Sequence, residues 1–174
     1  MQKAAKYVIF ETKWGYFGLA GTETALCRTH LPESEPEKIE SRLLKNLPDA
    51  RFDKTFFKTI QKQIAAYFEG SLVNFSPDIP IAFNGLGSFS YKVLRACRDI
   101  KFGQRTTYAG LAKKAGRPAA SRAVGNVLAK NPMPLIIPCH RVLRTDGKMG
   151  GFSAPGGISL KKRMLALEHK AVEA

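Results

Sequence analysis

Apolar positions change their period along the chain. Between Tyr7 and Leu31 they alternate with polar ones, over Tyr7–Trp14, Tyr16–Ala20 and Ala25–Leu31, with turn residues at Gly15 and Gly21-Thr-Glu-Thr24. A period of two sends successive side chains to opposite faces, so this stretch predicts an antiparallel meander of about three strands. After it the period becomes helical. Ile39, Leu43, Leu44 and Leu47 share one face, Ser34 and Glu37 have the spacing of a capping box, and Pro48 is a stop. A second helix is predicted over 54–69 from Phe56, Ile60, Ile64 and Phe68, ending at Gly70. Residues 71–87 mix Pro, Gly, Asn and Ser with short apolar pieces. They read as a linker carrying one short strand, with a domain boundary near residue 84.

Beyond the linker the pattern is mainly helical. Ser88 is a cap for a helix whose stripe is Phe89, Val93, Ala96, Cys97 and Ile100, closed by Gly103. Thr106 or Thr107 caps a short helix running to about Ala115, Gly116 and Arg117 turn the chain, and a third helix covers 118–130. Two short helices joined by a glycine turn match a helix-turn-helix; a plain helical hairpin with Arg122 in solvent fits the pattern equally well. Leu135, Ile136 and Ile137 read as a short buried strand that Pro138 ends. Arg144-Thr-Asp-Gly-Lys148 has the composition of a hairpin turn. Met149–Gly157 is too glycine-rich for a regular element and reads as a loop. The last helix is predicted over 159–169, with Glu168 closing it at a position that is usually solvated. The fold class is α/β in the α+β sense: an N-terminal sheet-and-helix domain with linker over 1–84, then a helical domain over 85–174.

Composition narrows the class. A chain of 174 residues with 44% hydrophobic content can bury a core and is not extensively disordered. No apolar run approaches the roughly 20 residues that cross a bilayer, and Met1–Tyr7 lacks the apolar stretch of a secretory signal. The expectation is a soluble protein of the cytoplasm or, in a eukaryote, the nucleus. Three cysteines without a CxxC spacing suggest neither a disulfide framework nor zinc, and Cys27 with His30 supplies only two ligands. The net charge of +14 is divided unevenly: residues 1–84 carry 11 Lys/Arg against 10 Asp/Glu, and residues 85–174 carry 17 against 4. A one-signed field confined to one half fits a phosphate backbone as partner. An anionic membrane is the competing partner, but no helix here pairs a basic face with a Trp/Phe-rich one.

The chemistry concentrates in Pro138-Cys-His-Arg-Val142. A thiol attacks as thiolate, and the adjacent Arg141 or His140 would lower its pKa. The bland alternative is an inert buried cysteine. Cys27 and Cys97, on a strand and on a helix stripe, read as packing.

Four stretches together resemble the O6-alkylguanine-DNA alkyltransferases: Gly103-Gln-Arg-Thr-Thr-Tyr-Ala-Gly-Leu-Ala112, Ser121-Arg-Ala-Val-Gly-Asn126, Asn131-Pro-Met-Pro-Leu-Ile-Ile-Pro-Cys-His-Arg-Val142, and Gly156-Gly157 with the helix after it. The resemblance covers about residues 85–170; the N-terminal half is similar only in plan, which in the family is ribonuclease H-like. It implies repair of O6-alkylguanine, and of O4-alkylthymine, in double-stranded DNA by a monomer that flips the damaged base and needs no cofactor. The alkyl group would pass irreversibly to Cys139, once per molecule. His140 would act on Cys139 through a water, Glu168 would orient His140, and Asn131 would brace the turn. Tyr108 would protonate the departing guanine, and Arg122 would hold the gap in the base stack. Thr107, Ser121, Ala123, Gly125 and Asn126 would contact DNA. The Val142 carbonyl, Met149, Phe152 and Ser153 would contact the base.

Departures from the family pattern are Phe152 in place of a common Tyr, the extra pair Ala154-Pro155, and Leu94 in place of a common Trp. The cysteine-rich zinc site of some relatives has no counterpart. A lesion-binding module without transfer activity is the first alternative, which the presence of Cys139 disfavours. A cysteine hydrolase is the second; it would want a catalytic histidine well separated in sequence and an oxyanion donor set, and the other histidines are His30 and His169.

Overall fold

The computed structural model describes residues 5–174; the sequence reading of Met1–Ala4 lies outside them. The chain divides into two compact units, Met1–Ala82 and Phe83–Ala174.

In the first unit, β1 (Lys6–Thr12), β2 (Gly15–Thr22) and β3 (Ala25–Glu33) form the antiparallel meander expected from the alternation. A two-residue strand, β4 (Arg51–Phe52), adds to the free edge of β1 in parallel, so the sheet order is β3-β2-β1-β4. Both faces are covered. Ala20 packs with Ile39 and Leu43 of α1 (Pro36–Leu43), whereas Phe17 meets Phe68 of α2 (Lys58–Phe68) at a ring separation of 6.1 Å. Double coverage explains why β2 is buried almost throughout. The linker contributes a single bridge, Leu26 to Ile81.

Helix boundaries in this unit depart from the sequence reading. Pro36, with its φ already helical, starts α1; Glu35 is the N-cap without a side-chain hydrogen bond, so the Ser34–Glu37 capping box does not form. The helix stops at Leu43 rather than running to Pro48, and α2 begins at Lys58 rather than 54, after a left-handed residue at Phe57.

The second unit consists of α3 (Ser88–Arg98), β5 (Thr106–Thr107), α4 (Tyr108–Lys114), α5 (Ser121–Ala129), a 3-10 turn at Cys139–Arg141, β6 (Val142–Leu143) and α6 (Gly157–Glu173). Gly87, not Ser88, is the N-cap of α3. Thr107 caps α4 as expected, its hydroxyl accepting from the Gly110 N–H at 3.0 Å. Gly116, at φ +82°, reverses the chain after α4, with the Arg117 N–H donating to Ala112 O at 2.9 Å. The next helix starts at Ser121, three residues after Pro118, and α4 and α5 are neighbours joined by the turn at 115–120.

Two other readings are corrected. Leu135–Ile137 is not a strand: Ile137 makes one isolated bridge to Pro134, and Leu135 has φ +76°. A run of buried aliphatics has the same composition in a packed turn as in a strand. The last helix reaches Glu173, which places Glu168 inside it and buried.

Candidate active site

Segment 131–138 is held as a compact turn. The Asn131 amide donates to Ile137 O (2.9 Å) and its carbonyl accepts from the Met133 N–H (3.0 Å). The Cys139 N–H donates to that same Ile137 carbonyl at 2.8 Å. Met133, Leu135, Ile136 and Ile137 anchor the turn in the core. The left-handed φ of Leu135 is a local strain that this burial over-determines. The turn delivers Cys139 to the floor of an open cavity of about 750 Å³, where the residue is only 7% exposed.

The walls come from separate elements. Tyr108 and Ala109 start α4, Ser121, Arg122, Gly125, Leu128 and Ala129 lie on α5, and Gly150–Ser153 belong to the glycine-rich loop. Tyr108 crosses so close to Gly150 that an added Cβ at 150 would overlap its hydroxyl. Gly150→Ala should therefore displace Tyr108 and slow the reaction of the Cys139 thiol by roughly 10- to 100-fold. A rate of Cys139 modification within twofold of the parent, with unchanged circular dichroism, would show that the close approach does not matter.

Behind the thiol lies a buried polar group. His140 Nε2 is 2.6 Å from Glu168 Oε1. Arg141 Nε donates to both Glu168 oxygens at 3.1 Å, and an Arg141 terminal nitrogen donates to Oε1 at 2.9 Å. The other terminal nitrogen donates to Ile100 O at 2.6 Å, and the Gly103 N–H donates to Glu168 Oε2 at 3.2 Å. Burial raises the Glu168 carboxyl, but the hydrogen bonds from His140 and Arg141 and the Arg141 charge outweigh it and hold it at about 2. Burial pushes His140 below its ordinary value despite the Glu168 hydrogen bond, so the imidazole is neutral at pH 7 and able to accept a proton.

Arg141 is thus committed to Glu168, and the expectation that it lowers the thiol pKa is not met. The cation that does so is Lys161. It is wholly buried, its Nζ donates to Val142 O at 2.7 Å and stands 5.8 Å from the Tyr108 ring centroid and 6.0 Å from that of Phe152. Burial raises the Cys139 thiol; the Asn131 hydrogen bond and the Lys161 charge oppose it. Burial likewise raises Tyr108, which keeps its phenolic proton. Lys161 was overlooked in the sequence although it had a signal: it precedes Met164, Leu165 and Glu168 by three, four and seven residues, the spacing of one helix face.

The remaining sequence-named residues fall into two sets. Tyr108, Ser121, Arg122, Gly125, Cys139, Phe152 and Ser153 line the cavity, the Ser153 hydroxyl donating to Ala129 O at 2.7 Å. Asn131, His140 and Glu168 lie behind the thiol. Thr107, Ala123, Asn126, Val142 and Met149 do not line the cavity; Ala123 and Asn126 are exposed on α5, and Val142 is buried.

Comparison with known proteins adds independent findings. Residues 5–83 match the family described as 6-O-methylguanine DNA methyltransferase, ribonuclease-like domain, and residues 88–170 match its DNA binding domain. The methylated-DNA–protein-cysteine methyltransferase of Methanosarcina acetivorans is 37% identical over 163 residues, covering 93% of this chain and 97% of that protein. The protein of that name from Mycolicibacterium paratuberculosis is 32% identical, covering 95% and 93%. Among solved structures, the Mycobacterium tuberculosis O6-methylguanine methyltransferase superimposes with a TM-score of 0.77 at 31% identity, over 96% of this chain and 94% of that one. A second structure from that bacterium, in complex with DNA, gives 0.78 at 30% identity, over 95% and 94%.

Proposed function

We propose a mechanism from one premise: the chain belongs to the 6-O-methylguanine DNA methyltransferase family. It is a DNA repair protein, its partner is DNA, and its reaction is alkyl transfer from DNA to a protein cysteine. The acceptor is Cys139, acting as a monomer on alkylated guanine in a duplex. The observation that carries this reading is that Cys139 forms the floor of a cavity whose wall is Tyr108 and whose α5 side carries Arg122.

The target carbon lies inside the base stack, so the nucleotide must be everted, at a cost of a few kcal/mol that DNA contacts offset. α5 supports this role: its outward residues are small except Arg122, which can enter the stack while the helix backbone stays close to the groove. The thiol rests neutral because of burial and is deprotonated on demand. Its proton passes through a water to His140, on the ring nitrogen that Glu168 does not take. Sγ then forms a bond to the alkyl carbon as the carbon–oxygen bond to guanine breaks. The electrons of that bond leave on the guanine, which takes a proton from Tyr108. Lys161 favours the thiolate and, through Val142 O, fixes the strand that follows it. The thioether has no hydrolytic exit, so each molecule reacts once.

The test is intact mass after incubation with a duplex carrying O6-methylguanine. One methyl group should appear, mapped to Cys139; an unmodified Cys139 after prolonged exposure would overturn the reading. Arg122→Ala should slow repair in duplex by roughly tenfold or more and leave reaction with the free modified base within about twofold. Equal losses on both substrates would remove Arg122 from base eversion.

A further inference from the structure

A second concave site lies in the same unit, away from the thiol. A cleft of about 580 Å³ runs between the outer face of α3 and the C-terminal end of α4. Tyr91, Lys92, Arg95, Ala96 and Asp99 line one side, on the opposite helix face from the buried Val93, Leu94 and Cys97. Lys114, Ala115 and Gly116 line the other. Three cations therefore face one carboxylate. Among the described residues, none of Lys92, Arg95 and Lys114 belongs to an ion pair, whereas Lys38, Arg42 and Arg144 each have a carboxylate within 3.2 Å. The polar side-chain contact of Arg95 is the Tyr91 hydroxyl at 3.5 Å, with its guanidinium 5.9 Å from that ring. The phenol itself is braced edge-on by Phe83 at 5.5 Å. Of the four acids in residues 85–174, Asp146, Glu168 and Glu173 are paired with basic side chains, and Asp99 is the one that faces the cleft.

We propose that this cleft holds the phosphate backbone of the duplex flanking the lesion, with Lys92, Arg95 and Lys114 as the phosphate-binding groups. The assignment rests on DNA being the partner and on Cys139 being the acceptor. Three unpaired cations gathered in a concave surface repel one another until an anion enters. Position selects the anion. Tyr108 and Ala109, at one end of α4, line the thiol cavity, and Lys114, at the other, lines the cleft. Seven residues of helix span roughly 9 Å, equal to about three base-pair steps of ~3.4 Å. A duplex running along α4 with its damaged nucleotide in the cavity would pass the cleft within a few base pairs. α5 itself carries Arg122 as its single charged residue, so the affinity of the +13 half has to come from surfaces such as this one.

The test measures the salt dependence of duplex binding by the full chain. Probes are a lesion-bearing duplex of about 25 base pairs and two others cut to about two base pairs beyond the lesion on one side or the other. The triple variant Lys92→Gln, Arg95→Gln, Lys114→Gln should lower the slope of log K against log[salt] by about 2 to 3 on the long duplex, at about 0.9 per phosphate. One of the two cut duplexes should show no difference between variant and parent. Asp99→Asn should act in the opposite sense and tighten binding severalfold, a gain that damaged folding cannot mimic. An unchanged slope, or an equal fall on all three duplexes, overturns the cleft as a contact and leaves only a diffuse field. Methyl transfer to Cys139 is read by mass in the same samples, so a failure of the transferase reading is visible separately.

Discussion

Cys139→Ser should abolish methyl transfer, lowering the single-turnover rate by at least ~10⁴-fold, while duplex affinity stays within about twofold. The hydroxyl differs little in size from the thiol, and the turn that carries it is fixed by Asn131 and Ile137 O rather than by sulfur. What is lost is nucleophilicity: a serine hydroxyl beside a neutral imidazole holds its proton at neutral pH far more tightly than a thiol does. Transfer is read as added mass and affinity by titration of a lesion-bearing duplex. Appreciable transfer by the serine variant would mean that the alkyl group goes elsewhere, and loss of binding would mean that the turn had collapsed.

Glu168→Gln should be the most destabilising conservative change in the second unit. The carboxylate accepts from His140, Arg141 and the Gly103 N–H while 1% exposed. Removing its charge leaves the Arg141 guanidinium buried without a counter-ion, at about 3–5 kcal/mol, or a fall in Tm of roughly 10 °C. The pH dependence identifies the cause. Folding holds the Glu168 carboxyl at about 2 against an ordinary 4.5. Its stabilisation is therefore complete above about pH 4.5 and is lost as pH falls towards 2, an integrated effect of about 3 kcal/mol. The glutamine variant lacks this acid limb. Urea denaturation at pH 7 and pH 3 should thus show a large difference between parent and variant that narrows in acid. A difference that stays constant across that range would assign the loss to packing instead.

What the sequence reveals and what it hides follows from distance along the chain. The Thr107 cap is a contact across three residues, and the meander and the α4–α5 pair join elements that follow one another through short turns, so local pattern displays them. Arg141 beside Cys139 suggested a cation for the thiol, but its partner is 27 residues away. No local signal says which way its side chain turns. Glu168 looked solvated because the helix was expected to end beside it; only the family resemblance pointed inward. The left-handed Leu135 has no compositional mark at all, since glycine or asparagine is what such a φ usually selects. Lys161 could have been found, because a lysine on the stripe of Met164 and Leu165 must be either buried or misplaced.

A short pairing in the second unit has a mechanical meaning. β5 and β6 align Thr106 with Val142 and Thr107 with Leu143. They stitch the residues that launch the helix pair to those that leave the nucleophile. Whatever seats the helices on DNA therefore also sets the line of fire of the sulfur. Aim is inherited from docking, and a looser seam would leave a protein that still finds damage but misses it.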